Sequence, residues 1–401
     1  LCDKFGLMVL QDFPQSSSGI NNVPSENPAF LELLQEAAQE AVKVKRNHVC
    51  LTFWCGGNEL CDEQKRPINF QNSNVAMLKR IVEEQDPGTL MLPTTASGPL
   101  EYVDIQKPGL NHDVHGPWTS SGDEEYYTLY NRSDSMLHSE FGSEGMSNLA
   151  TLKQIFSPDH CKVTTVQKDL VWRHHGEWWD SYQRDSKVFG EFSEEDIKNF
   201  ILCSQFMQAE GLRYALEANR RRMWRSVGSI IWVANEPWPN VTSNALIDYN
   251  GIPKLAYYAM QIAYRPQLAV LEYNKLVYNP GEIFKGRIHL INDKAAAKYQ
   301  LALHVMSGNQ ELYNGVYEGF INENAVEVLP EEVAFTMPAE THITVSLELE
   351  IGGNVTVSRY VLLLREQDTG VANRSMIGLY IRDGYGEAIT EQIIKQQEVS
   401  E

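Results

Sequence analysis

The fold is decided by two stretches of sequence, VCLTFWCGGNE at residues 49–59 and SMLHSEFG at residues 135–142. In each, an apolar run with the character of a buried strand leads into a glutamate, Glu59 or Glu140. The active site of a parallel (β/α)8 barrel is assembled at the carboxyl ends of its strands. A retaining glycosidase needs two carboxylates at such a site, one as the proton donor and one as the nucleophile. The two stretches therefore predict a sugar-cleaving site on a parallel barrel.

The first two-thirds of the chain alternates strand-like and helix-like segments, which is typical of a parallel α/β fold. One helix is predicted to begin at Pro28 behind an Asn27 cap. Another helix is predicted to begin near Ser193, because Ser193 and Asp196 together resemble a capping box. About six barrel-type strands can be counted, whereas a complete barrel has eight. The two glutamates lie 81 residues apart (140 − 59), which accommodates three strand-to-strand steps of roughly 27 residues each.

These patterns predict an α/β TIM (β/α)8 barrel over residues 1–265 that lacks its first two strands and keeps strands 3 to 8. Beyond Arg265 the apolar residues recur with period two, as in Leu301, Leu303 and Val305 and in residues 343–351. Such alternation is typical of half-buried strands. We therefore expect an all-β immunoglobulin-like sandwich over residues 266–366. Residues 367–401 are interpreted as a terminal strand or tail.

Composition excludes several classes of protein. The formal net charge of −19 over 401 residues argues against nucleic acid as a partner, because phosphate backbones are bound mainly by clustered Lys and Arg. No apolar stretch approaches the ~20 residues needed to span a membrane. The six cysteines lack the paired spacing of a zinc site, and we interpret them as buried free thiols. They do not fix the compartment, and a secreted or periplasmic location is expected over a cytoplasmic one.

Four separated blocks carry a family resemblance: CDKFGLMV at residues 2–9, HVCLTFWCGGNE at 48–59, SEFG at 139–142, and the stretch from Trp232 to Lys254. In the same order, they resemble the catalytic barrel of glycoside hydrolase family 2, the family of β-galactosidases, β-glucuronidases and β-mannosidases. The last block is most similar to the β-mannosidase-like branch. Gly57 replaces a polar residue that is frequent in the family, and Glu236 replaces an aspartate, so the sugar specificity stays open. Family members carry further domains before the first block, and the chain's own amino-terminal domains are an expected partner.

The resemblance implies a role for four residues. Glu59 would be the general acid/base, and Glu140 would be the nucleophile that forms a covalent glycosyl-enzyme. Asn58 would hydrogen-bond the 2-hydroxyl of the sugar, and Trp232 would form an apolar platform beneath it. A core tryptophan is the alternative interpretation of Trp232. The reaction implied uses no cofactor and no metal.

Further residues are predicted to bind the substrate. His115 and Trp118 are expected to line the wall of the sugar subsite, with a turn histidine as the alternative for His115. Asp12, with Gln11 beside it, ends the first strand at the same face. Asn235 follows the strand that carries Trp232.

The dense aromatic and basic stretch at residues 172–179 is either a loop that flanks the site or a packed loop. It contains two adjacent histidines, His174 and His175. No third ligand lies at a spacing that would recommend a metal site there.

The predicted function is that of a retaining exo-β-glycosidase that acts on an oligosaccharide or glycoside, with a β-mannoside as the first choice. A β-galactosidase or β-glucosaminidase specificity is one alternative. A catalytically incompetent carbohydrate-binding fragment is another, and so is a fragment that becomes active only with its amino-terminal half.

Overall fold

The computed structural model describes residues 1–16, 22–176, 179–339, 342–366 and 371–398. The chain divides into two compact units. Unit 1 comprises Leu1–Gly116, Ser133–Phe141 and Arg225–Ile230. Unit 2 comprises Pro117–Arg132, Gly142–Trp224 and Ile231–Glu401. The boundary predicted at residue 265 is therefore not where the two units divide.

The described helices and strands follow one another in a mixed order along the chain. The α-helices are α1 (Cys2–Phe5), α2 (Pro28–Lys45), α3 (Ser73–Gln85), α4 (Glu124–Arg132), α5 (Leu149–Ile155), α6 (Leu170–His174), α7 (Tyr182–Phe189), α8 (Ile197–Arg220), α9 (Leu255–Ala263), α10 (Ile377–Tyr385) and α11 (Glu387–Gln396). The strands are β1 (Val9–Asp12), β2 (Leu51–Cys55), β3 (Leu90–Leu92), β4 (Asp113–His115), β5 (Leu137–Phe141), β6 (Gly145–Met146), β7 (Gly228–Ile231), β8 (Thr242–Ser243), β9 (Gln267–Glu272), β10 (Val277–Tyr278), β11 (Ile283–Asn292), β12 (Ala297–Ser307), β13 (Gln310–Ile321), β14 (Ala325–Thr336), β15 (Ile343–Ile351) and β16 (Asn354–Leu364).

Six strands of the predicted barrel are present, but they do not close into one sheet. One sheet has the order β1-β2-β3 and a second has the order β4-β5-β7. The β1–β2, β2–β3 and β4–β5 pairs are parallel. Between β3 and β4, residues 93–112 form no strand and reach the second sheet through isolated bridges at Gly98 and Tyr102. This irregular connection is the physical reason why the expected single barrel sheet is interrupted.

The helices of unit 1 cover the first sheet, as the sequence predicts. Helix α2 begins at Pro28, and the Asn27 side chain accepts a hydrogen bond from the amide of Ala29. The core beneath α2 and α3 contains Phe13 and Trp54, whose rings stack with centroids 5.2 Å apart. This packing fixes the ends of β1 and β2, from which two of the predicted site residues project.

The longest described helix, α8, begins at Ile197, four residues after Ser193. Asp196 is its N-cap residue but makes no capping hydrogen bond. The Asp196 carboxylate instead accepts a hydrogen bond from the Asn199 side chain and pairs with Arg374. The predicted capping box is therefore wrong, whereas the predicted apolar face of the helix is buried.

The strands after residue 266 form two sheets, as the period-two pattern predicts. One has the order β14-β11-β9 and the other the order β10-β16-β15-β12-β13. The alternating residues Leu301, Leu303 and Val305 are fully buried. Their antiparallel partners on β15 are Leu349, Leu347 and Val345, which are buried as well.

The terminal strand or tail predicted for residues 367–401 is wrong. Its described part, residues 371–398, forms a short 3₁₀ turn followed by α10 and α11. Ile377, Ile381 and Ile393 are buried, so each helix has an apolar face that needs a partner. None of the described helices combines the length and the apolar character required to cross a membrane.

Candidate active site

Glu59 follows β2 on a short loop with an unusual backbone conformation. Its φ is 52°, in the left-handed region that a residue with a side chain seldom adopts. Such a conformation costs about 1–3 kcal/mol and persists where the surrounding structure imposes it. Here the amide of Glu59 donates to the carbonyl of Thr95 over 2.5 Å. The next amide, that of Leu60, donates to the Thr94 hydroxyl over 2.8 Å. The loop therefore fixes the direction of the Glu59 side chain.

The two glycines before Asn58 allow this loop to pack closely. A Cβ added at Gly56 would lie 2.3 Å from the carbonyl oxygen of Pro93, and one at Gly57 would lie 2.6 Å from that of Gln15. Gly57 also has a φ of 153°. The polar side chain that is frequent at this position in the family that the sequence resembles would therefore have no room at position 57 of this chain.

Glu140 lies within β5, one strand away from the histidine predicted to line the site. In the β4–β5 ladder, His115 is the register partner of Glu140. The amide of Gly116 donates to the carbonyl of Glu140 over 2.7 Å. The neighbouring strand thus fixes the backbone at Glu140.

Glu59, His115 and Glu140 converge in unit 1. The His115 side chain is fully buried, and its Nδ1 lies 3.1 Å from Oε1 of Glu59, whose side chain is 17% exposed. One ligand atom from each of the three residues lies within 4.8 Å of the other two. With its proton on Nδ1, His115 donates to the Glu59 carboxylate and holds it in place.

The same three atoms are close enough together to hold a metal ion. Within the described ranges, Glu59, His115 and Glu140 are the group of possible metal ligands that the structure brings together. The expectation that the reaction needs no metal stays a prediction.

Asp12 and Gln11 are neighbours at the end of β1, but the structure separates their side chains. Burial raises the pKa of Asp12 above its usual range, and a hydrogen bond with the Cys55 thiol and the charge of His115 oppose this rise. Asp12 therefore lies within electrostatic reach of His115. The side-chain oxygen of Gln11 instead accepts a hydrogen bond from the Lys45 ammonium of α2 over 2.6 Å. Gln11 thus contacts the outer helix, as expected from the alternation of side chains along a strand.

Asn58 lies in unit 1, directly before Glu59. Its amide donates to the carbonyl of Gln15 over 3.0 Å, and its side-chain oxygen lies 3.5 Å from the Thr95 hydroxyl. The Asn58 side chain is partly exposed. Its proposed contact with a sugar hydroxyl stays a prediction.

Trp118, Trp232 and Asn235 lie in unit 2. Trp118 and Trp232 are partly exposed, and Asn235 is exposed. The Trp232 ring lies 5.4 Å from that of Trp179. Asn235 forms an isolated bridge with Ile247. Trp232 is therefore not a fully buried core tryptophan. Its role as an apolar platform beneath the sugar stays a prediction.

A comparison with known families decides the class of this chain. The family described as "Glycosyl hydrolases family 2, TIM barrel domain" matches residues 1–224, more than half of the sequence. The chain belongs to glycosyl hydrolase family 2. The site residues Glu59, His115 and Glu140 all lie within the matched range.

Curated relatives within the family bear the name β-mannosidase B. The protein from Aspergillus fumigatus is 25% identical over 290 residues, which is 66% of this chain and 33% of that protein. The one from Thermothelomyces thermophilus is 26% identical over 284 residues, 65% of this chain and 32% of that protein. The family 2 chain thus spans about a third of the length of the relatives that it matches.

Solved structures show the same fold. The β-D-mannosidase from Dictyoglomus thermophilum superposes with a TM-score of 0.68 at 19% identity, over 90% of this chain and 43% of that one. A complex of the exo-chitosanase of Amycolatopsis orientalis with PNP-β-D-glucosamine superposes with a TM-score of 0.65 at 13% identity, over 90% of this chain and 42% of that one. At these identities the likeness establishes the architecture of the family 2 chain and no more.

The family 2 site contains a residue that sequence analysis missed, Asp113. Its carboxylate accepts hydrogen bonds from the amide and hydroxyl of Ser97, over 2.6 and 2.8 Å, and from the hydroxyl of Ser139 over 2.5 Å. Ser139 directly precedes Glu140, so Asp113 positions the strand that carries the predicted nucleophile. The only sequence signal was that Asp113 lies in the same short stretch as His115.

Tyr102 is a second residue near the site that the sequence did not single out. It is half exposed. Burial raises its pKa above the usual range, and the nearby carboxylates of Glu101 and Glu59 raise it further. Tyr102 is also the bridge partner of His115. The loop at residues 101–103 therefore runs beside the predicted acid/base residue.

The stretch at residues 172–179 is packed in part. Trp172 is buried and donates to the carbonyl of His160 over 2.8 Å. His175 stacks on Trp238 with ring centroids 5.8 Å apart, and its Nδ1 lies 2.6 Å from the carbonyl of Pro239. Residues 177 and 178 lie outside the described residues. The described members of the stretch favour the interpretation as a packed loop.

Glu236, which replaces an aspartate that is frequent in the family, is held by hydrogen bonds from its neighbours in the loop. It is buried, and its carboxylate accepts hydrogen bonds from the hydroxyls of Ser147 and Ser243 and from the amides of Asn240 and Tyr249. Burial raises the pKa of Glu236, although the ammonium of Lys254 opposes the rise. This glutamate therefore holds the loop that follows Trp232.

Proposed function

We propose that this chain carries the catalytic centre of a retaining exo-β-glycosidase, with Glu59 as the acid/base and Glu140 as the nucleophile. The observation that carries the proposal is the approach of the two carboxylates, whose ligand atoms lie within 4.8 Å of each other. Retaining glycosidases hold their carboxyl groups about 5–5.5 Å apart, whereas inverting enzymes keep roughly 6.5–9.5 Å for a water molecule. The short separation favours retention.

In the proposed reaction, Glu59 protonates the glycosidic oxygen while a carboxylate oxygen of Glu140 attacks the anomeric carbon. The aglycone leaves with that proton, and a glycosyl ester forms on Glu140. Glu59, now a carboxylate, removes a proton from water, which attacks the anomeric carbon and releases the sugar. Asn58 is proposed to hydrogen-bond the 2-hydroxyl, and Trp232 to form the apolar platform.

His115 has a defined part in this scheme. Its Nδ1 lies 3.1 Å from Oε1 of Glu59, and the imidazole is fully buried. Because water does not reach the imidazole, it does not compete for this hydrogen bond, and the carboxylate is held in one position. A fixed acid/base group is already aligned when the glycosidic bond begins to break, which lowers the entropic part of the barrier. The imidazole is therefore proposed as a positioning residue for Glu59.

A β-mannoside is proposed as the substrate. Support comes from the curated relatives, which are named β-mannosidase B and match about two-thirds of this chain at 25–26% identity. The oligosaccharide or glycoside partner, the amino-terminal domains as a further partner, and a secreted or periplasmic location are proposals of the same kind.

The test uses 2-deoxy-2-fluoro glycosyl fluorides of manno, gluco and galacto configuration, with intact-mass analysis of the chain after incubation. The manno reagent is expected to add one glycosyl group, located on Glu140 by digestion. Glu140→Gln should abolish the adduct, whereas the control Glu63→Gln, an exposed glutamate four residues after Glu59, should retain it.

Three other outcomes would change the proposal. An adduct with a different sugar would keep the mechanism and replace the substrate. An adduct on another residue would refute the assignment of Glu140. No adduct with any reagent, together with saccharide binding that survives Glu140→Gln, would favour the carbohydrate-binding alternative.

A further inference from the structure

Unit 2 contains a cavity of about 510 Å³ that has no part in the proposed reaction. Four separate segments form its wall: the end of α9 with the following turn, the loop before β12, the first half of β16, and the junction of α10 and α11. The lining residues are Ile262, Arg265, Pro266, Lys294, Asn354–Val357, Arg359, Gly384, Tyr385 and Ile389.

The charge of the cavity is opposite to that of the protein. Arg265, Lys294 and Arg359 line it, and none of the described lining residues is Asp or Glu. The chain as a whole carries 53 acidic and 34 basic residues. Among the described residues, these three cations form no ion pair, although Arg265 donates to the carbonyl of Val357 over 3.2 Å. Cations that line one cavity repel each other, and an anion bound there would reduce that repulsion.

The start of a helix lies beside the same cavity, because Gly384, Tyr385 and Ile389 line it. Helix α11 begins nearby at Glu387, and its N-cap residue Gly386 provides no side-chain cap. The first amides of a helix are additional donors for an anion.

The floor of the cavity is rigid. Tyr385 donates from its hydroxyl to Oε1 of Glu210 over 2.5 Å. Buried Arg213 stacks over the ring of Tyr385, and its Nη1 donates to the carbonyl of Arg359 over 2.7 Å. The backbone that carries Arg359 is thus already in place, which reduces the entropy lost on binding.

We propose that this cavity binds a tetrahedral oxyanion, phosphate or sulfate, that is carried as an ester on a small organic molecule such as a sugar. Guanidinium and ammonium groups from three segments suit an anion with oxygens in several directions. The volume exceeds the need of a bare ion, and Ile262, Pro266 and Ile389 supply apolar surface for the organic part.

The experiment measures thermal stability and calorimetric binding with inorganic phosphate, inorganic sulfate, glucose 6-phosphate, glucose 6-sulfate and glucose. Each anion is expected to raise the Tm, because a ligand that binds only the folded state stabilises it. The esters should bind more tightly than the free ions, and glucose should have no effect. The ester that binds more tightly identifies the source of the oxyanion.

Lys294→Gln and Arg359→Gln should each weaken binding about tenfold, which corresponds to the loss of one charge-assisted hydrogen bond. Lys298→Gln is the matched control, since Lys298 is an exposed lysine four residues away that does not line the cavity. Lys294 is exposed, so its replacement tests binding without a risk to folding. Equal affinities for the wild type and the Lys294→Gln protein, or no Tm rise with any anion at millimolar concentration, would overturn the proposal.

Discussion

Replacement of Glu217 by glutamine should change how the stability of this protein depends on pH. Glu217 lies on α8 and is almost fully buried. Burial raises its pKa from 4.5 to about 7, although the charge of Arg213 and a hydrogen bond from Tyr360 oppose the rise. Arg213 lies 2.8 Å from Glu210 but 4.0 Å from Glu217. Glu210 is therefore the closer ionic partner of Arg213, and the Arg213 charge opposes the rise in the pKa of Glu217 only from the longer distance.

The magnitude follows from the shift in pKa. Between pH 4.5 and pH 7, Glu217 is protonated in the folded chain and ionised in the unfolded chain. The unfolded state then binds fewer protons, so the stability falls as pH rises through this window. A shift of this size corresponds to about 3 kcal/mol. Glutamine does not titrate, so Glu217→Gln should lack this decline.

The assay is urea denaturation of the wild type and of Glu217→Gln at pH values from 4.5 to 8, with tryptophan fluorescence as the signal. The free energy of unfolding of the variant, relative to the wild type, should rise by about 3 kcal/mol across the window and then level off. Glu348→Gln, an exposed glutamate on β15, should leave the pH dependence unchanged. A difference between wild type and Glu217→Gln that stays constant across the range would refute the reasoning.

Three further predictions concern the candidate active site. His115→Ala should lower kcat/KM for β-glycoside hydrolysis about ten- to a hundredfold and displace the acid/base limb of the pH profile, whereas His112→Ala, an exposed histidine on the same stretch, should not. Gly57→Ala should destabilise the chain by about 2–3 kcal/mol in urea denaturation, because the added Cβ would clash with the backbone of Gln15. Gly88→Ala is the control: a Cβ added at Gly88 would have no neighbouring atom within 4 Å, so the free energy of unfolding should hardly change. Asp113→Asn should lower kcat and leave KM nearly unchanged, because an amide group cannot accept all three hydrogen bonds from Ser97 and Ser139. Unchanged steady-state kinetics would contradict the positioning role of Asp113.

The sequence predicted those parts of the fold that depend on local pattern. The apolar runs before Glu59 and Glu140 are strands, and two further strands lie between them, as the spacing of 81 residues required. The cap at Asn27 needs only the residues beside it, since a side-chain oxygen reaches the nearest free amides of the helix. The period-two pattern around Leu301 likewise depends on one strand and one buried face.

The missed features depend on tertiary contacts or on weak periodicity. Asp113 and Ser139 meet across two strands that are 26 residues apart, and nothing local tells which face each strand turns to the site. Helices α10 and α11 were missed because Gly384 and Gly386 and a Gln-rich end obscure the spacing of Ile377, Ile381 and Ile393. The open barrel sheet follows from the irregular path of residues 93–112, which composition does not encode.

The buried guanidinium of Arg213 restricts how the chain can be divided or changed. Its neighbours Tyr360 and Tyr385 come from β16 and α10, far beyond the end of the predicted barrel. A protein that ended at residue 265 would leave Arg213, Glu210 and Glu217 on an uncovered helix face, together with the apolar residues around them. Such a face favours aggregation. Among relatives, substitutions at these two tyrosines are expected to accompany substitutions at Arg213, because both rings cover the guanidinium that pairs with Glu210.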